Sequence, residues 1–150
     1  VNIIRIGAAL LLGAWAITSA PARADDAQDI VGVWEPFEVE SNGNALPADA
    51  VKQTAVLLTF EITKDKISTP LDDDDTEIGY TLAPDSDPKG IDTVDLNGEA
   101  KGERHKGIYE LNGDVLRLCI GGKDAPRPRR FTTKPGDEGG ELVVKFKRKR

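Results

Sequence analysis

Apolar and polar residues alternate with a period of two along several short stretches, each bounded by turn residues. Ile108 to Leu111 and Val115 to Ile120 flank Asn112-Gly113-Asp114. Asn-Gly tolerates the positive φ of a type I′ turn, so this spacing predicts a hairpin at the centre of the domain. Val56, Leu58, Phe60 and Ile62 alternate with Leu57, Thr59, Glu61 and Thr63, which predicts a strand with the first set facing a core. Ile78, Tyr80 and Leu82 share one face of the next run, and Ile91 to Leu96 forms a less clean one. Glu141 to Arg148 closes the pattern, with Leu142, Val144 and Phe146 inward and Val143, Lys145 and Lys147 outward.

The first strand is predicted over Val31 to Ser41. Its apolar parity shifts across Pro36, from Trp34 to Phe37 and Val39, as a one-residue bulge would produce. Asn42-Gly43-Asn44 and Lys64-Asp65 mark turns, Pro47 to Gln53 suits a short helix, and Ala83 to Gly90 is a loop rich in Pro, Asp and Ser. No long stretch repeats every 3.6 residues. About eight short alternating strands with regular turns predict an all-β, antiparallel barrel or sandwich.

The N-terminus follows a different pattern. A weakly basic start at Asn2 and Arg5, an apolar run from Ile6 to Ile17 and the small-x-small site Ala22-Arg23-Ala24 have the layout of a secretory signal peptide cleaved after Ala24. The run is short for a bilayer span, which takes roughly 20 residues. The expectation is one domain over residues 25–150 that is exported, periplasmic or extracellular, with no stable membrane insertion after cleavage.

The chain carries 20 basic and 26 acidic residues, and setting aside Arg5 and Arg23 deepens that acidic excess. Such a surface favours solubility and argues against nucleic acid as a partner. The single cysteine, Cys119, leaves no internal disulfide, so stability must come from packing.

Several pieces in order resemble one family. They are Gly32-Val33-Trp34, Gly79-Tyr80-Thr81-Leu82, Pro88-Lys89-Gly90-Ile91-Asp92, Gly107-Ile108-Tyr109-Glu110-Leu111, Gly113 through Cys119, Arg127-Pro128 with Phe131, and Val144 to Arg148. Together they resemble the small exported lipocalin-like domains abundant in planctomycete-type bacteria, whose function is undefined. The resemblance implies an antiparallel lipocalin-like barrel and brings no catalytic residue. It also implies that Trp34 closes the barrel floor with Arg148 packed over it, a cation–π arrangement.

Candidate chemistry is sparse. Phe60, Tyr80, Tyr109, Leu118 and Phe146 are the inward residues expected to fill the interior or line a narrow apolar ligand cavity. Arg127, Arg129 and Arg130, beside Lys123, are candidates for anion recognition through guanidinium forks, or for capping carbonyls at the barrel rim. Cys119 reads as a packed thiol, and His105 lacks the further residues a triad or zinc site requires. Asp72 to Asp75 reads as a solvated loop, since four consecutive carboxylates diverge where Ca²⁺ needs convergence. The expectation is a non-catalytic barrel, with no metal or cofactor, that binds a small apolar or amphipathic ligand. The alternative is a cell-envelope interaction module around a filled core.

Overall fold

The computed structural model describes residues 25–69 and 76–150. The predicted signal segment and the Asp72 to Asp75 tract lie outside the described residues.

A short helix α1 (Asp26–Asp29) leads into β1 (Gly32–Ser41), whose register with the last strand slips between Pro36 and Glu38, the predicted bulge. Trp34, Pro36 and Val39 are buried, but Phe37 is the extra residue at the slip and is 38% exposed rather than inward. Asn42 and Gly43, both at positive φ, turn the chain into β2 (Asn44–Ala45), which pairs only with the end of β1. Two successive positive φ angles are the I′ geometry that matches strand twist.

Helix α2 (Ala48–Leu58) replaces the first half of the strand predicted from Val56. Val56, Leu57 and Leu58 are three apolar residues in a row, so the alternation there is only nominal, and the preceding Ala, Lys and Gln favour helix. Thr59 ends it, its amide and hydroxyl both bonded to the Ala55 carbonyl at 2.9 and 2.7 Å. Val51 is buried against the core, while Val56 and Leu57 are 57% and 69% exposed. True alternation starts at β3 (Phe60–Ile62), followed by β4 (Ile67–Ser68), β5 (Glu77–Ala83) and β6 (Gly90–Asp95).

The central hairpin joins β7 (Arg104–Asn112) to β8 (Val115–Lys123). Asn112 pairs with Val115, so the loop is Gly113-Asp114, and positive φ falls on Gly113 instead of on Asn112. That is the II′ pattern, with glycine first, one residue later than the Asn-Gly signal implied. Strand β9 (Leu142–Arg148) pairs with both β8 and β1. Every pairing is antiparallel, and the β1–β9 ladder closes a barrel of eight strands with β2 as an added one.

Inward residues from around the ring form one cluster: Trp34, Ile62, Ile67, Ile91, Tyr109, Leu116, Leu118, Val144 and Phe146, with Phe60, Ile78, Tyr80 and Leu82 packed against it. Phe60 and Phe146 meet edge to face, with centroids 4.7 Å apart. A second cluster lies on the outer face of β7, β8 and β9, where Phe131 packs on Ile108, Cys119 and Val143. Val143 is thus outward, as expected, yet buried, because the 124–141 connection folds back over it. Glu40 anchors that connection by accepting from both the amide and the hydroxyl of Thr133 at 2.8 Å, which holds its carboxyl below the usual range.

These positions predict sharply different mutational costs. Leu116→Ala should cost about 2–5 kcal/mol, as fully buried leucines do. Val56→Lys should change stability by less than about 0.5 kcal/mol because that side chain faces water on α2. Urea denaturation of the two variants checks both.

Candidate functional site

One end of the barrel collects the turn before β4, the loop before β6, the Gly113-Asp114 turn, the last residues of β9 and all of α1. Asp25 caps α1, its carboxylate accepting from the Ala27 amide at 3.2 Å. Ile30, fully buried, follows as a plug, and its carbonyl accepts from Trp34 Nε1 at 2.8 Å. Arg148 lies over the Trp34 ring, with its guanidinium carbon 4.4 Å from the ring centroid. The same guanidinium donates to the carbonyls of Val31 and Asp29, each at 2.6 Å, and to Asp114 at 3.1 Å. Gly32 makes room for it: φ is +147°, and a Cβ there would sit 2.5 Å from Arg148 Nη1. Arg150 also donates to Asp114, at 2.6 Å, and the two arginines hold that carboxyl below the usual range.

Asp26 turns inward from α1 and is 4% exposed. A buried carboxylate needs partners, and Asp26 has two, Tyr109 Oη and Lys89 Nζ, each donating at 2.7 Å. Burial first, then donation to Asp26, pushes the Tyr109 phenol well above its ordinary range. Lys89 Nζ also stands 5.9 Å from the Tyr109 ring centroid. The trio couples the N-terminal helix to β7 and to the loop before β6.

Beside α1 opens a cleft of about 880 Å³. Tyr80, Leu82 and Pro84 give it an apolar wall, and Lys64, Asp85 and Lys89 stand with α1 at its polar margin. Tyr80 is fixed by donating to the Thr63 carbonyl at 2.6 Å. A second cleft of about 520 Å³ shares Asp26 and Gln28 with the first and reaches Asp114 and Arg148, so α1 lies between two openings.

Of the predicted interior set, Tyr109, Leu118 and Phe146 are buried in the main cluster, Phe60 and Tyr80 pack at its margin, and Tyr80 alone lines the larger cleft. The three candidate arginines are each paired with a different carboxylate. Arg127 donates to the carbonyls of Gly107 and Ile91 at 2.7 and 3.3 Å and meets Asp92 at 2.7 Å. Arg130 meets Asp137 at 3.0 Å, and Arg129 stands 3.9 Å from Glu138. Cys119 lies under Phe131 with Sγ 3.4 Å from the Arg130 carbonyl, and burial pushes the thiol up, away from the reactive thiolate. His105 directs Nδ1 at the Gly121 carbonyl, 3.1 Å away, and Nε2 stands 3.9 Å from Asp95.

Asp26, Lys64 and Lys89 escaped the sequence reading. Asp26 carries a weak signal, an acidic residue one place after a helix cap and four before a buried isoleucine, but its partner Tyr109 is 83 residues away. Among the described residues no group of three or more His, Cys, Asp or Glu side chains is placed to hold a metal ion, and no helix is long and apolar enough to cross a membrane. Comparison with family models, curated proteins and solved structures finds no match to the chain.

Tyr109→Phe should cost about 1.5–3 kcal/mol at neutral pH, the value of a hydrogen bond to a charged acceptor. The folded chain keeps a phenol proton that the unfolded chain releases above the ordinary value of 10.0, so this stability is present below that pH and fades as pH rises past it. Urea titrations between neutral pH and pH 11 should therefore show the gap between wild type and variant narrowing at the alkaline end.

Proposed function

We propose that the domain is an exported, non-catalytic binding barrel of the lipocalin-like kind that takes a small amphipathic ligand at the α1 end. The observation that carries this reading is the cleft of about 880 Å³ with an apolar wall of Tyr80, Leu82 and Pro84 facing polar groups at Lys64, Asp85 and Lys89. Ligand pockets characteristically combine apolar walls with a few placed polar groups and lie in the mouths of β-barrels. The tightly packed interior supports binding at the mouth rather than deep inside, since the inward side chains already form one cluster. Export rests on the leader-like pattern of the first 24 residues.

A cell-envelope interaction module is the second reading. It is favoured by the solvent-facing Val56 and Leu57 on α2, at 57% and 69% exposure.

Thermal unfolding in the presence of fatty acids, retinoid-like and aromatic compounds tests the first reading. A ligand at 100 times its Kd should stabilise the native state by roughly 2.7 kcal/mol, raising Tm saturably. Gln28→Trp, which places a bulky ring at an exposed position bordering the cleft, should abolish that rise. No rise with any compound, or an equal rise in Gln28→Trp, would shift the assignment to the interaction module.

A further inference from the structure

On the outer face of the barrel, away from the α1 end, Arg117 has fewer partners than a half-buried guanidinium ordinarily keeps. It stacks on Phe131, its guanidinium carbon 4.4 Å from the ring centroid, and makes one long bond from Nη2 to the Phe131 carbonyl at 3.4 Å. Its Nε is buried without any acceptor. No carboxylate among the described residues stands within ion-pair distance of it. The carboxylates nearby are committed elsewhere. Its cross-strand neighbour Glu110 accepts from Asn112 at 2.9 Å, Glu38 pairs with Lys145 at 2.6 Å, and Glu40 accepts twice from Thr133 through Oε1 while feeling the Arg117 charge from beyond ion-pair distance.

Arg117 lines a groove of about 370 Å³ between α2 and the β1–β9 seam. Phe37, Leu46, Ala48, Val51 and Val143 give it an apolar stretch, and Glu38, Glu40 and Lys145 line it beside Arg117. Phe37 reaches it because the bulge turns that ring out of the core. A flat cation held by an aromatic ring, with Nη1 unbonded among the described residues and Nη2 engaged only at 3.4 Å, is the arrangement that receives a carboxylate two-pronged through its Nη atoms. Lys145 offsets Glu38 by pairing with it, and the remaining acidic charge of Glu40 opposes a dianion such as a phosphate monoester more than a monoanion.

We propose that this groove is a second binding site, specific for a monocarboxylate with an apolar tail. The carboxylate sits on Arg117 and the tail runs along Phe37, Leu46, Ala48 and Val51. The site is independent of the cleft beside α1, and neither needs the other.

Octanoate is the direct ligand to titrate against the ¹⁵N-labelled protein, with octan-1-ol as the same tail without charge. Saturable amide shifts at Phe37, Leu46, Ala48 and Arg117 are expected for octanoate. Affinity should fall at least about tenfold for octan-1-ol and for Arg117→Gln, as loss of a charged hydrogen bond requires. Because Arg117 also braces Phe131, Ala48→Trp provides a second variant: Ala48 is exposed at the start of α2, and the new ring should fill the groove and block octanoate in a native-like spectrum. Octanoate shifts confined to Lys64 and Lys89, equal affinity for octan-1-ol, undiminished binding in Ala48→Trp, or no shifts at all would each overturn the proposal.

Discussion

Arg148, stacked on Trp34, ties the last strand to the first, to the end of α1 and to the central hairpin turn. Trp34 belongs to the first strand and Arg148 to the last, and they are register partners in the ladder that closes the ring. The guanidinium also reaches the carbonyls of Asp29 and Val31 at the end of α1 and the carboxylate in the central hairpin turn. Barrel closure removes the two free edges an open sheet would expose to aggregation. In this chain one side chain reaches both the closing ladder and the N-terminal helix, and its position depends on Gly32, where a Cβ would stand 2.5 Å from its Nη1.

The candidate site follows from that fastening. With α1 pinned at its C-terminal end by Arg148 and by the indole of Trp34, Asp26 at its other end falls over the barrel interior, where Tyr109 and Lys89 meet it. A carboxylate removed from water is costly unless paired, so the Asp26 cluster fixes where α1 lies as much as it stabilises it. The helix so placed has an opening on each side, and the larger one combines an apolar wall with lysine and aspartate at its margin. The proposed ligand cleft and the closing contact therefore share one end of the molecule. The outer-face groove at Arg117 depends instead on the bulge at Phe37 and on the long connection that carries Phe131 over the barrel wall.

Much of the ring was legible in the chain. β5, the β7–β8 hairpin and β9 were marked by apolar–polar alternation and by turn residues with the required φ, because one face of each strand packs inward while much of the other carries polar residues. Where that contrast fails, the reading failed too. Val56 to Leu58 is apolar on both parities, so alternation could not separate strand from helix, and the decisive features were the helix formers before it and the Thr59 cap after it. Val143 pointed outward as its parity required, but parity says nothing of whether a loop covers the outside. Phe37 was assigned inward because a bulge flips the residues after it, while the bulged residue itself remains outside. The site was the least legible part. Asp26 meets Tyr109 across 83 residues, and nothing local to Asp26 announces a buried carboxylate.

Native-state hydrogen exchange of Arg148→Met tests most directly whether one side chain fastens the closing ladder and the helix. The variant keeps the aliphatic stem and removes the guanidinium. Amides at the seam, those of Ile30 bonded to Asp26 and of Lys149 bonded to Val33, should exchange much faster, while Tyr109 on the far ladder keeps its protection against the Lys89 carbonyl. Protection lost evenly over all strands, or unchanged at Ile30 and Lys149, would contradict the account.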